Sequence, residues 1–187
     1  MIQVKSGDVF LTKVDENDFI FSKVSSILKN DKIPKLLVKL SDYRYNHAGM
    51  ILHSTIHPGY IWCLEAIEKG VWLTTRPLKL INQSTIIRYN RPYDNELVVK
   101  SVLKDWNKGY DAFSLIQNAF VQLSSAVGFD GFFRDLLSKR YDNQELLICS
   151  ELVARAFVNA GYEVGHAPEF KTPTDLLKSE YFKTLKL

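Results

Sequence analysis

The hydrophobic period of this chain changes near its middle, and that change limits the folds open to it. Through Tyr89, apolar residues come in short runs bounded by turn residues; from Leu97 onward they recur three and four positions apart. Strands followed by helices predict an α+β domain, with an antiparallel sheet from the first half packed against helices of the second. Gly7-Asp8 opens the buried run Val9-Phe10-Leu11. Residues 48–52 and 60–67 read as a strand pair around the turn signal His57-Pro58-Gly59-Tyr60. Residues 71–73 and 84–89 read as further strands, separated by Pro77 and Asn82-Gln83. Residues 19–40 mix apolar and Lys positions at helical spacing, interrupted by Pro34.

In the second half, Leu97, Val98, Val102, Leu103 and Trp106 keep a helical period. Asp111 is placed to cap a helix through Leu115, Ala119 and Leu123 to Gly128. Cys149, Leu152, Val153, Ala156, Phe157 and Ala160 form one helical stripe, and Gly161 stands where a helix terminates. Thr172-Pro173-Thr174-Asp175 opens a last short helix that offers Leu176 and Leu177 to the core.

A length of 187 residues suits one domain over 1–187 and leaves little room for two. The net charge of +3 is small and the Lys and Arg residues are scattered, which argues against nucleic acid as a partner. The N-terminus carries no basic start followed by a long apolar stretch, and no run approaches the roughly 18 apolar residues of a membrane span. A soluble protein made in the cytoplasm is the expectation, although a trimmed precursor reads the same. Two cysteines, Cys63 and Cys149, do not make a disulfide scaffold, and without a Cys-x-x-Cys pair a structural zinc site is not expected.

Cys149 begins its helix. The first turn carries outward-pointing N–H groups and the positive end of the helix dipole, which favour a thiolate and suit a developing oxyanion. As a small apolar side chain the same residue would simply fill the core. A thiolate nucleophile needs a base. Of His47, His53, His57 and His166, His47 stands at the mouth of a strand, in Tyr45-Asn46-His47-Ala48-Gly49-Met50, where a rigid backbone fixes an imidazole. Glu65 lies in the mainly apolar Ile61-Trp62-Cys63-Leu64-Glu65-Ala66-Ile67, where a carboxylate is costly unless paired. If the two strands are neighbours, Glu65 meets His47 across the sheet and fixes its tautomer. Cys63 shares a face with Glu65 and is a rival nucleophile without a helix N-terminus.

Gly7-Asp8-Val9-Phe10, Asn46-His47-Ala48-Gly49-Met50, Leu64-Glu65-Ala66, Tyr110-Asp111-Ala112-Phe113 and Cys149-Ser150-Glu151-Leu152-Val153 occur in one order. That ordered set, with His before Cys, resembles the circularly permuted branch of the NlpC-type papain-like superfamily, the YiiX-like group of amidases. More distant members are the lecithin:retinol acyltransferase-like enzymes. The resemblance spans Gly7 to Asp175 and implies a papain-like fold of permuted topology. It implies Cys149 as nucleophile, His47 as base and Glu65 as the residue that orients it. The Cys149 N–H then belongs to the oxyanion hole, and Tyr45 and Ser150 belong to the substrate pocket. Ala48 departs from the family, which often has a larger apolar residue there. Residues 19–41 do not align and would add a lid or a substrate wall.

The implied activity is cysteine-dependent hydrolysis of an amide through an acyl-enzyme, on cell-wall peptide or lipid-linked substrates, with no cofactor or metal. Lipid ester hydrolysis and acyl transfer use the same chemistry. A non-catalytic lipid- or peptide-binding module is the rival of another class, and the complete Cys/His/Glu set argues against it. A metal site built from His47, His53 and His57 fits poorly, because the surrounding pattern is a strand and a turn. Phe129, Phe132 and Phe133 read as a core helix or as an apolar entrance for an acyl chain.

Overall fold

A computed structural model describes residues 4–13, 45–53, 59–111, 146–164 and 172–185. The helical readings at 19–40 and 112–128, the 129–133 aromatic cluster, His57 and His166 lie outside them. So does the side chain of His53, whose backbone closes a strand.

Six strands form one antiparallel sheet: β1 (Val9–Lys13), β2 (Tyr45–His53), β3 (Tyr60–Ile67), β4 (Gly70–Pro77), β5 (Thr85–Tyr89) and β8 (Phe182–Leu185). Their order across the sheet is β4-β3-β2-β1-β5-β8. Two short strands, β6 (Gly109–Tyr110) and β7 (Leu146–Leu147), pair in parallel. The helices are α1 (Leu78–Gln83), α2 (Asn95–Leu103), α3 (Cys149–Asn159) and α4 (Pro173–Lys178). The architecture is thus mixed α+β around an antiparallel sheet.

Three elements differ from the sequence reading. β4 runs four residues further than 71–73, to Pro77, and begins one residue earlier, at Gly70. The stretch read as a separator, after Pro77, is the short helix α1. The last strand, β8, comes from beyond the final helix and so is not a first-half element.

The two faces of the sheet are both apolar but differ in depth. On one, Val9, Leu11, Ala48, Met50, Leu64, Ala66 and Ile87 pack with the α3 stripe Leu152, Val153, Ala156 and Phe157. On the other, Phe10, Ile51, Ile61, Cys63 and Ile86 form a smaller core with Ile81 of α1. Strand alternation assigns these sets to opposite faces. Side-chain area removed from water on this scale is the main stabilising term, at ~25 cal/mol per Å².

Local chemistry sets the helix ends. Asp94 caps α2 by accepting from the N–H groups of Glu96 and Leu97. Thr172 and Asp175 form a reciprocal capping box on α4, with Pro173 in the first turn. α3 ends in a Schellman motif: Gly161 N–H donates to Val158, Tyr162 N–H donates to Phe157, and Gly161 adopts φ +85°. At the other end of the chain, buried Asp8 accepts from Arg88 Nε at 2.7 Å and Nη2 at 2.8 Å, and from the Lys5 N–H at 2.9 Å. This bidentate pair ties the entry to β1 onto β5.

Candidate active site

β2 and β3 are adjacent and antiparallel, with Gly49 directly opposite Glu65. His47 is two residues before Gly49, so it lies diagonally across from Glu65 and nearer the β3–β4 turn. A register shift on the other side of β2 decides which face Tyr45 takes. Thr12 pairs with His47 and Lys13 pairs with Tyr45, so Asn46 is an extra residue. Such a bulge breaks alternation and re-aims side chains. It places Tyr45 with the α3-facing core and His47 on the opposite face, beside the Phe10 ring at a centroid distance of 6.0 Å.

Gly49 makes room for the pair. A methyl group built there would overlap the Phe10 ring and sit 2.8 Å from Glu65 Cγ. Only a hydrogen at this position lets the Glu65 side chain cross β2 toward His47.

Glu65 is fully buried and carries four hydrogen bonds. His47 Nε2 lies 2.6 Å from Oε2. Arg76 donates from Nε to Oε1 at 2.8 Å and from Nη2 to Oε2 at 2.7 Å. The Thr74 hydroxyl donates to Oε1. Burial pushes a carboxyl pKa up, but the His47 and Arg76 hydrogen bonds and charges outweigh it and hold Glu65 down at about 2. The Arg76 guanidinium is raised in turn, first by its hydrogen bond to Glu65.

The Cys149 side chain also hydrogen-bonds the His47 imidazole. Burial lowers the basicity of the ring and is the largest single influence on it. The hydrogen bonds and charges of Cys149 and Glu65 together outweigh burial and push His47 up to about 10. The result is a continuous chain, Arg76/Thr74–Glu65–His47–Cys149, running from the edge strand to the start of α3.

Cys149 is the first residue of α3, after Ile148, which supplies no side-chain cap. The first intrahelical bond runs from the Leu152 N–H to the Ile148 carbonyl. Glu151, one turn in, is buried and lies 4.0 Å from Arg155. Arg155 also reaches Asp105 at 3.7 Å, and Asp105 pairs with Lys108 at 2.9 Å. This network fixes α3 against the turn that follows α2 and offsets the acidic charge near Cys149.

The structure thus brings Cys149, His47 and Glu65 together. It turns the other two expected pocket residues inward. Tyr45 is 8% exposed with its hydroxyl 2.9 Å from Thr85 Oγ1, and Ser150 is fully buried, so neither presents surface to a ligand. Both cysteines are free thiols. Cys63 is fully buried, and burial, with the Glu65 charge, pushes its thiol up to about 12 against the opposing charge of Arg76. A thiol held protonated is a poor nucleophile, which removes it as a rival. Among the described residues, no group of three or more His, Cys, Asp or Glu is arranged to hold a metal ion. No helix among them is long and apolar enough to cross a membrane.

Sequence reasoning missed Arg76, Thr74 and Gly49. The first two share the Glu65 face because Trp72, Thr74 and Arg76 stand directly opposite Glu65, Cys63 and Ile61. The signal was the period-2 placement of Thr74 and Arg76, visible only once β4 is known to extend to Pro77. Comparison with protein-family models, with curated proteins and with solved structures finds no match to this chain.

Proposed function

We propose that this chain is a cysteine-dependent hydrolase that cleaves an amide bond through a Cys149 acyl-enzyme. The observation that carries this reading is the unbroken hydrogen-bonded chain from Glu65 through His47 to Cys149. A buried carboxylate, an imidazole fixed by it and a sulfur at a helix N-terminus are the three parts a thiol nucleophile needs. The resemblance to the permuted NlpC-type papain-like hydrolases, the YiiX-like group, supports the same roles and points to cell-wall peptide or lipid-linked substrates.

In this mechanism His47 holds the proton shared with Cys149, and the sulfur attacks the substrate carbonyl. The Cys149 N–H, at the positive end of α3, steadies the tetrahedral oxyanion. The imidazolium protonates the departing amine, and water then attacks the thioester with His47 as base. Glu65 keeps the ring in one tautomer throughout. Ester hydrolysis and acyl transfer differ only in leaving group and acceptor.

The test is alkylation with iodoacetamide from pH 4 to 9, with the labelled residue located by mass spectrometry. Rapid modification of Cys149 well below the ordinary thiol range of about 8.5, slowed in His47→Ala and in Glu65→Ala, is expected. Cys63 should label only in denaturant. Slow labelling of Cys149 with an ordinary pH profile, indifferent to His47, would show a packing residue and end the proposal.

A further inference from the structure

β4 is an edge strand of the six-stranded sheet, and Trp72 projects from it on the same face as the Glu65–His47 pair. Trp72 stands directly opposite Glu65 in the ladder, which sets their Cβ atoms about 4.5–5.5 Å apart. The indole N–H donates to the Lys69 carbonyl at 2.8 Å, so the ring leans toward the β3–β4 turn. His47 lies nearer that turn than Glu65 does. The indole therefore leans toward the level of the imidazole. Ile67, half-buried and two residues beyond Glu65, continues the same face.

Trp72 is 40% exposed and is not part of either apolar core. A large indole left in water is unusual where it could be buried, and here it is not left to rotate freely. One polar atom pins it while part of the side chain stays in contact with solvent. An aromatic group that is pre-fixed and exposed on the face that carries the Glu65–His47 pair can receive a flat partner at low entropic cost. The charges nearby, on the His47 ring and on Arg76, oppose a cationic partner.

We infer that Trp72 is a specificity-determining wall of the Cys149–His47 site, stacking on a neutral, planar, apolar group of the substrate next to the carbonyl that is attacked. The inference rests on the proposed hydrolase reading and adds the chemical class of group the site prefers.

Two alkylating probes separate the two. N-methyl-2-chloroacetamide and N-benzyl-2-chloroacetamide both form a thioether with Cys149 and release chloride, and they differ only in the group beyond the carbonyl. Each rate is divided by that with free cysteine, and the ratio of benzyl to methyl is compared among wild type, Trp72→Phe and Trp72→Ala. Because the ratio cancels nucleophile activation, it isolates recognition. Wild type should prefer the benzyl probe by about tenfold, a factor equivalent to one well-stacked aromatic pair. Trp72→Phe should keep most of that preference, and Trp72→Ala should reduce it to within about twofold of free cysteine. His47-dependent labelling with a ratio that Trp72→Ala does not change would overturn the inference and leave the hydrolase reading standing. Labelling indifferent to His47 would remove both.

Discussion

Replacing Arg76 with Met keeps the aliphatic stem and removes the fork that holds Glu65. The carboxylate is then left with Thr74 and His47 in place of four hydrogen bonds. Breaking a buried ion pair from one side costs about 3–5 kcal/mol, because the remaining charge stays desolvated. Arg76 is 36% exposed, so water can replace part of what it supplied, and about 2–3 kcal/mol is the expected loss. For a chain of this size that lowers the unfolding temperature by roughly 4–12 °C. The pH dependence identifies the cause. Glu65 titrates at about 2 in the folded protein against an ordinary 4.5. Such a group contributes stability that is present above 4.5 and lost as pH falls toward 2. Arg76→Met moves the folded pKa back up, so its deficit against wild type should be full at pH 7 and narrow between pH 4.5 and 2. Urea unfolding followed by circular dichroism at pH 7, 4.5 and 3 measures this, with Glu65→Leu and the double variant completing a cycle. A deficit below about 0.5 kcal/mol at pH 7, one that does not shrink in acid, or strict additivity with Glu65→Leu would refute the reasoning.

Gly49→Ala should cost about 1–3 kcal/mol through overlap with the Phe10 ring, and should slow Cys149 alkylation because Glu65 is pushed from its path to His47. Thermal unfolding and the iodoacetamide rate check it, and an unchanged rate in a folded variant would show that Glu65 does not need that space. His47 is raised from 6.5 to about 10, so its contribution to stability is complete below pH 6.5 and is lost as pH climbs toward 10. The stability difference between wild type and His47→Gln should therefore be largest below pH 6.5 and decline into alkaline solution; a difference constant across that window contradicts the assigned partners.

What the sequence made legible was local. The α3 stripe, its start at Cys149 and its end at Gly161 follow from one helical period and one glycine. β2 and β3 were readable because each has an apolar run with a turn signal between them. β4 was cut short at residue 73 because Thr74-Thr75-Arg76-Pro77 offers no apolar residue to either face. That truncation hid both partners of Glu65. β8 has one buried residue in four and no pattern of its own; it exists because β5 gives it a partner edge. Tyr45 was expected to line the pocket on the family resemblance, and simple alternation would give it the same face as His47. The extra residue at Asn46 reverses that, and a bulge is a property of the pairing with β1 rather than of β2 alone.

Those hidden partners explain how an apolar strand tolerates Glu65 at all. An isolated carboxylate in this position would take up a proton, and a protonated carboxyl could not anchor an imidazolium. Arg76 and Thr74 remove that outcome, since three of the four hydrogen bonds come from the same strand, β4, and leave Oε2 aimed at His47. Glu65 therefore stays charged well below the ordinary carboxylate range. If Cys149 reacts as proposed, a change in its reactivity between pH 4.5 and 10 should then arise at the His47–Cys149 contact rather than at Glu65. In the proposed mechanism the sheet thereby holds the orienting carboxylate charged, and the proton that moves is the one His47 shares with Cys149.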